Sequence, residues 1–157
     1  MDDKRELLRH TVATVAYRGG KAVRGAPASF AKFESGHPPK TPDQILAHIG
    51  DLLDWALSIA EGAQKWHNST PLAWGDEVAR FFGAVKRFDD YLASDAPLAA
   101  PPERLFQGAI ADALTHVGQL AMLRRLAGCP IKGENFYQAD IVTGRVGAEQ
   151  TPARREF

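Results

Sequence analysis

The stretch that most constrains the fold runs from Leu105 to Leu126, where Ile110, Ala113, Leu114, Val117, Leu120 and Ala121 recur at helical spacing and form one apolar face. Within it, Asp112 and His116 stand four residues apart. At ~3.6 residues per turn, their side chains project from the same side of a helix, one above the other. They share that direction with Leu105 and Leu123, so the pair is expected among apolar side chains rather than in open water.

A second segment, Ile45-Leu-Ala-His48-Ile-Gly-Asp-Leu-Leu-Asp-Trp55, places His48 on a stripe with Ile45, Leu52, Trp55 and Ile59 that is expected to face inward. A histidine there needs a polar partner. An Asp four residues before a His is most often a surface ion pair, and a lone inward His is most often a satisfied core residue. Polar groups on two separate apolar stripes point instead to His48, Asp112 and His116 meeting between helices, where they hold a divalent metal with open coordination positions. Two neutral imidazoles and a carboxylate suit Zn, Ni or Fe(II). The open positions would admit water or a thiol, whose proton a bound cation makes easier to lose. The competing arrangement is a hydrogen-bonded polar network without metal.

The remaining segments also read as helices and connections, so the chain is expected to be all-α. A first helix is expected from about Asp3 to Arg18, with Leu8, Val12 and Val15 in register and Gly19-Gly20 as its stop. The Gly-, Pro- and Ala-rich stretch to Lys40 carries Phe30 and Phe33, too apolar for a free linker, and is expected to pack across the domain. Thr41-Pro-Asp-Gln44 opens a second helix with capping-box spacing, running to about Glu61 beside Gly62. Thr70-Pro71 is a weaker start for a third, which Gly75-Asp76 can delay; its stripe is Val78, Phe81, Phe82, Val85, Phe88 and Leu92. Pro97 through Pro102 breaks the chain, Glu103 opens the fourth helix, and Gly128 and Pro130 end it. The tail, 131–157, lacks helical periodicity but holds several large apolar residues, and an ordered irregular strap over the bundle is expected.

A chain of 157 residues is expected to form one domain, 1–157, that needs no disulfide or metal to fold. Lys plus Arg equals Asp plus Glu at 19 each, so no net field draws nucleic acid or an anionic membrane. The Arg pairs at 124–125 and 154–155 read as solvated surface. No stretch approaches a membrane span, and the opening Met-Asp-Asp-Lys-Arg-Glu has no apolar signal core, so a cytoplasmic protein is expected. Cys129, flanked by Gly128 and Pro130, reads as a small buried residue rather than a nucleophile, and His10, His37 and His67 as surface histidines. No Gly-x-Ser-x-Gly elbow, phosphate loop or paired-cysteine zinc motif occurs, and no catalytic residue is singled out.

Ile45-Leu-Ala-His48-Ile, Asp112-Ala-Leu-Thr-His116-Val-Gly-Gln-Leu and Gly133-Glu-Asn-Phe-Tyr-Gln-Ala-Asp140, in that order, resemble the DinB-like (YfiT-like) superfamily of small bacterial four-helix proteins, over nearly the whole chain. The resemblance implies a four-helix bundle running up-down-down-up, with a long crossover between the second and third helices. It also implies a divalent metal on His48, Asp112 and His116. Many relatives carry three histidines, so Asp112 departs in ligand type and leaves the preferred metal open. Some members are thiol-dependent transferases or isomerases. The implied function is a metal-dependent transferase moving a low-molecular-weight thiol onto an electrophilic small molecule, or a related hydrolase in which water takes the thiol's place. Glu134, Asn135, Tyr137 or Asp140 are then expected at the pocket mouth, and a homodimer is plausible on the same ground. The alternative is a non-catalytic, stress-linked binding or interaction bundle with a vestigial or absent metal.

Overall fold

In the computed structural model, which describes residues 2–36 and 40–157, the helices are α1 (Asp3–Val23), α2 (Pro42–Ala60), α3 (Trp74–Ala93), a short α4 (Pro102–Leu105) and α5 (Ala111–Leu126). His37 lies outside the described residues. A π turn, Phe106–Ile110, joins α4 to α5 with helical dihedrals at both ends, so the two form one rod. The described residues therefore make an all-α four-helix bundle. Their extended pairing amounts to one isolated bridge, Glu134 to Glu156. Among them no helix is long and apolar enough to cross a membrane.

α1 continues past the glycine pair expected to stop it. A Cβ on Gly19 would stand 2.6 Å from Cζ of Phe81, a fully buried residue of α3. Here glycine lets two helices approach closely, and the break comes later, at Gly25 with φ +71°. α2 begins as expected. Gln44 Oε1 accepts from the Thr41 N–H at 3.1 Å, while the buried Asp43 carboxylate accepts from the Thr41 hydroxyl and the Gln44 N–H. Its end is set by Gly62 at φ +81°.

α2 turns Leu46, Ile49, Leu53, Ala56 and Ala60 into the core, one residue off the stripe that contains His48. On that stripe Ile45 and Leu52 are buried, whereas Trp55 and Ile59 are half-buried. His48 thus stands on the shoulder of the buried face. In α3 Phe81, Val85, Phe88 and Leu92 fill the core as expected, with Val78 and Phe82 at its edge.

Both α1 and α2 pack on α3 and on α5, which places α1 and α2 at opposite corners. At one end Arg5 of α1 donates to the Tyr91, Leu92 and Ala96 carbonyls, and the Tyr91 hydroxyl reaches Ala60 at the end of α2. Lys4 pairs there with Glu103 of α4. At the other end Arg124 is only 5% exposed: its Nε donates to the Cys129 carbonyl at 2.7 Å and its Nη1 to those of Ala22 and Arg24 at 3.0 Å. Expected on the surface, Arg124 instead satisfies the carbonyl ends of α1 and α5 together, because a guanidinium fork can serve several acceptors at once. Arg125 is exposed, as are Arg154 and Arg155, and Cys129 is half-buried.

The connection from α1 to α2 crosses the end of the bundle through a short 3₁₀ turn, Ala28–Lys32, with Phe30 buried edge-on against Trp74. The connection from α2 to α3 returns alongside α2, with Lys65 bonded to Ser58 and Ser69 to Asp51. Roughly thirteen residues at ~3.3 Å each reach about 43 Å, against about 28 Å for the 19 residues of α2 at ~1.5 Å each, so the span is unstrained. The tail packs on α1: buried Glu134 accepts from the Tyr17 hydroxyl and Lys21 Nζ, and burial followed by that bond pushes the Tyr17 phenol up. Phe136 lies beneath the Arg18 guanidinium, 4.2 Å from the ring centre, and Val146 is buried.

Candidate metal centre

His48 comes from the second turn of α2 and Asp112 and His116 from the first two turns of α5, and the packing of α2 on α5 brings the three together. One ligand atom from each lies within 4.8 Å of the others. Asp112 Oδ1 is 3.4 Å from His116 Nε2, Asp112 Oδ2 is 3.9 Å from His48 Nε2, and the imidazole rings meet edge to face at 4.7 Å.

These spacings are close enough for a shared ion to be drawn between them. Bonds of ~2.0–2.1 Å in tetrahedral geometry place ligand atoms about 3.3 Å apart. Asp112 Oδ1 and His116 Nε2 are already at that separation, whereas with one atom taken from each residue the separations extend to 4.8 Å and the widest must close by up to about 1.5 Å. Neither contact lies in the ~2.7–3.2 Å range of an N–H···O bond, so the cluster is held by its helices rather than by hydrogen bonds among its members.

Gln119, one turn on from His116, meets His116 Nδ1 through its side-chain oxygen at 2.7 Å. An amide oxygen can only accept, so Nδ1 carries the proton and Nε2 is left as the lone-pair nitrogen facing Asp112. For His48, burial and then the neighbouring His116 push the pKa below the ordinary 6.5, against a smaller upward pull from Asp112. Both effects favour the neutral imidazole that coordination requires.

The site opens outward. Side-chain exposure is 34% at His48, 15% at His116 and 48% at Asp112, wetter than the pattern of α5 alone suggests. Ile110, Ala113, Val117 and Leu120 hold the buried face of this rod, and Asp112 and His116 stand to one side of it. Leu105 remains buried while Asp112 is turned to the rim. Ile45, one turn before His48, and Gln119 line an adjoining groove of about 610 Å³ that runs to Met122 and Leu126.

Two aromatic residues complete the surroundings, and periodicity does not single them out as a pair. Trp66, in the return connection, lies 5.6 Å from the His48 ring and 5.9 Å from that of Trp55, and Gly108 of the π turn faces Trp55. The tail residues expected at the pocket mouth are engaged elsewhere: Glu134 with Tyr17 and Lys21, Asp140 with Arg154, Asn135 with the Tyr137 N–H. Tyr137 is almost wholly exposed. His10 meets Thr143, and His67 is exposed on the return connection rather than at a helix end.

Fold and cluster together define an all-α four-helix protein in which a His/Asp/His constellation can coordinate a divalent ion. No protein-family model, curated protein or solved structure matches the chain.

Proposed function

We propose that the chain is a DinB-like metalloprotein in which His48, Asp112 and His116 hold a divalent metal, Zn, Ni or Fe, and that it transfers a low-molecular-weight thiol to an electrophilic small molecule. The observation that carries the metal reading is the convergence of three ligand atoms from two helices within 4.8 Å, without hydrogen bonds joining them. The gathering of helix ends supports an up-down-down-up course: the α1 start lies with the ends of α2 and α3, and the α1 and α5 ends lie together. The transferase reading rests on the family resemblance.

Two imidazoles and one carboxylate leave a divalent ion a net positive charge and open positions, and such an ion supplies Lewis acidity that lowers the pKa of a thiol or water. The chain's own residues prepare the site. Gln119 holds the His116 tautomer, burial disfavours the protonated form of His48, and Asp112 at the rim brings the anionic ligand. The related hydrolase would use the same residues with water in the thiol's place.

The test is elemental mass spectrometry on untagged protein, comparing wild type with His48→Ala and His116→Ala. Near-stoichiometric Zn, Ni or Fe, lost in both variants, is the expected result. Wild type that holds no metal and takes up neither Zn nor Ni at neutral pH overturns the metal reading and the enzymatic one with it.

A further inference from the structure

Trp66 is 42% exposed, a large apolar ring left partly in water beside a polar cluster. Its position is not an accident of a slack loop. On one side of it, Ser58 Oγ accepts from the Lys65 N–H at 3.0 Å. On the other, Asp51, only 6% exposed, accepts both the Ser69 N–H at 2.8 Å and the Ser69 hydroxyl at 2.6 Å. A buried carboxylate is thus committed to fixing the short segment that presents the indole. Trp66 Nε1 donates to Asn68 within the same segment, so its polar handle is occupied and the ring offers apolar surface alone.

That ring adjoins the cluster at His48. Trp66 stands against His48, and Trp55 stands edge-on to Trp66, so the two indoles continue directly from a proposed ligand. Charge selects what can lie there. A divalent ion with one carboxylate is net positive, which repels a cationic group from the same pocket.

We infer that Trp55 and Trp66 form the wall that takes a flat, uncharged aromatic group of the molecule held at the His48–Asp112–His116 centre, with Trp66 as its specificity-determining residue. This rests on the metal reading of the triad and adds the class of substrate to it.

The probe pair is benzohydroxamate and acetohydroxamate, which present one chelating group with and without a phenyl ring. Affinities are measured by calorimetry on zinc-loaded full-length protein, with Trp66→Ala and Trp66→Leu as variants. Wild type is expected to favour benzohydroxamate roughly tenfold, the order of magnitude of one aromatic stack. In both variants the preference falls towards one, with zinc stoichiometry and acetohydroxamate affinity unchanged; the Leu variant separates ring stacking from bulk. Zinc bound with no phenyl preference in wild type, or a preference that survives both substitutions, overturns this inference alone. Protein that takes up no zinc overturns the metal reading and this inference together.

Discussion

Gly19 and Gly20 are adjacent in α1, yet replacing each with alanine is expected to change stability unequally, with a gain only at Gly20. In a helix interior Gly→Ala stabilises by about 1 kcal/mol, because alanine loses less backbone entropy. At Gly20 nothing opposes that gain: the new Cβ would meet Phe82 Cζ at 3.4 Å and Arg24 Nη2 at 3.5 Å, ordinary contacts. Gly20→Ala should therefore raise Tm by about 2–4 °C for a chain of this size. At Gly19 the Cβ would lie 2.6 Å from Phe81 Cζ and 3.1 Å from Cε1, nearly 1 Å inside the ~3.5–4.0 Å optimum. Phe81 is fully buried and packed against Phe82 at 4.9 Å, so its ring cannot swing into solvent. Overpacking of this kind costs about 1–3 kcal/mol, which offsets or exceeds the helical gain. The two variants should differ by roughly 1–3 kcal/mol in urea unfolding followed by far-UV circular dichroism. Phe81→Leu should relieve the Gly19→Ala penalty in a double-mutant cycle. A Gly19→Ala protein as stable as Gly20→Ala would refute the close α1–α3 approach.

Other perturbations test separate parts of the structure. Gln119→Leu frees the His116 tautomer and should weaken zinc about 10–100-fold in chelator competition while leaving the unfolding midpoint of the apo protein nearly unchanged; an unaltered zinc affinity would remove Gln119 from the site. Arg124→Met leaves three carbonyls at two helix ends without their donor and should cost about 2–4 kcal/mol, whereas Arg125→Met, on the exposed side, should stay within about 0.5 kcal/mol. Equal effects would contradict the capping role. Burial alone would raise the Asp43 pKa, but the bonds from Lys32, Thr41 and the Gln44 N–H outweigh it and hold the carboxyl below 3.8. With the folded value depressed, its contribution is present above 3.8 and is lost as pH falls through the folded value. Lys32 is 77% exposed and adds little, so Asp43→Asn should cost about 1–3 kcal/mol at neutral pH, mainly through the local bonds, and flatten the acid limb of a stability–pH profile. An unchanged limb would assign acid sensitivity to other carboxyls.

The helices were legible because periodicity and end signals are local. Thr41-Pro-Asp-Gln44 carries its own start, Gly62 its own stop, and Phe81, Val85, Phe88 and Leu92 name the buried face of α3 whatever packs on it. His48, Asp112 and His116 were legible for the same reason, each placed on a helix face by its spacing. What spacing could not supply is the partner across the interface. Gly19 reads as a break until Phe81 is set against it, and Arg124 reads as surface until the end of α1 arrives within hydrogen-bonding reach. The π turn escapes any fixed 3.6-residue period, so Leu105 and Asp112, on either side of it, do not share the direction their spacing suggests. Trp66 belongs to an irregular return segment whose course is set by Ser58 and Asp51 of α2, residues far enough away in sequence that no local rule joins them. Sequence alone thus determined which residues form helices and which polar side chains share a face, because those depend on bonds and contacts within a turn or two of the chain. Only the tertiary structure decided how close the helices come, which charge caps which end, and which aromatic rings stand beside His48, Asp112 and His116, because each is a contact between segments whose distance is fixed by packing.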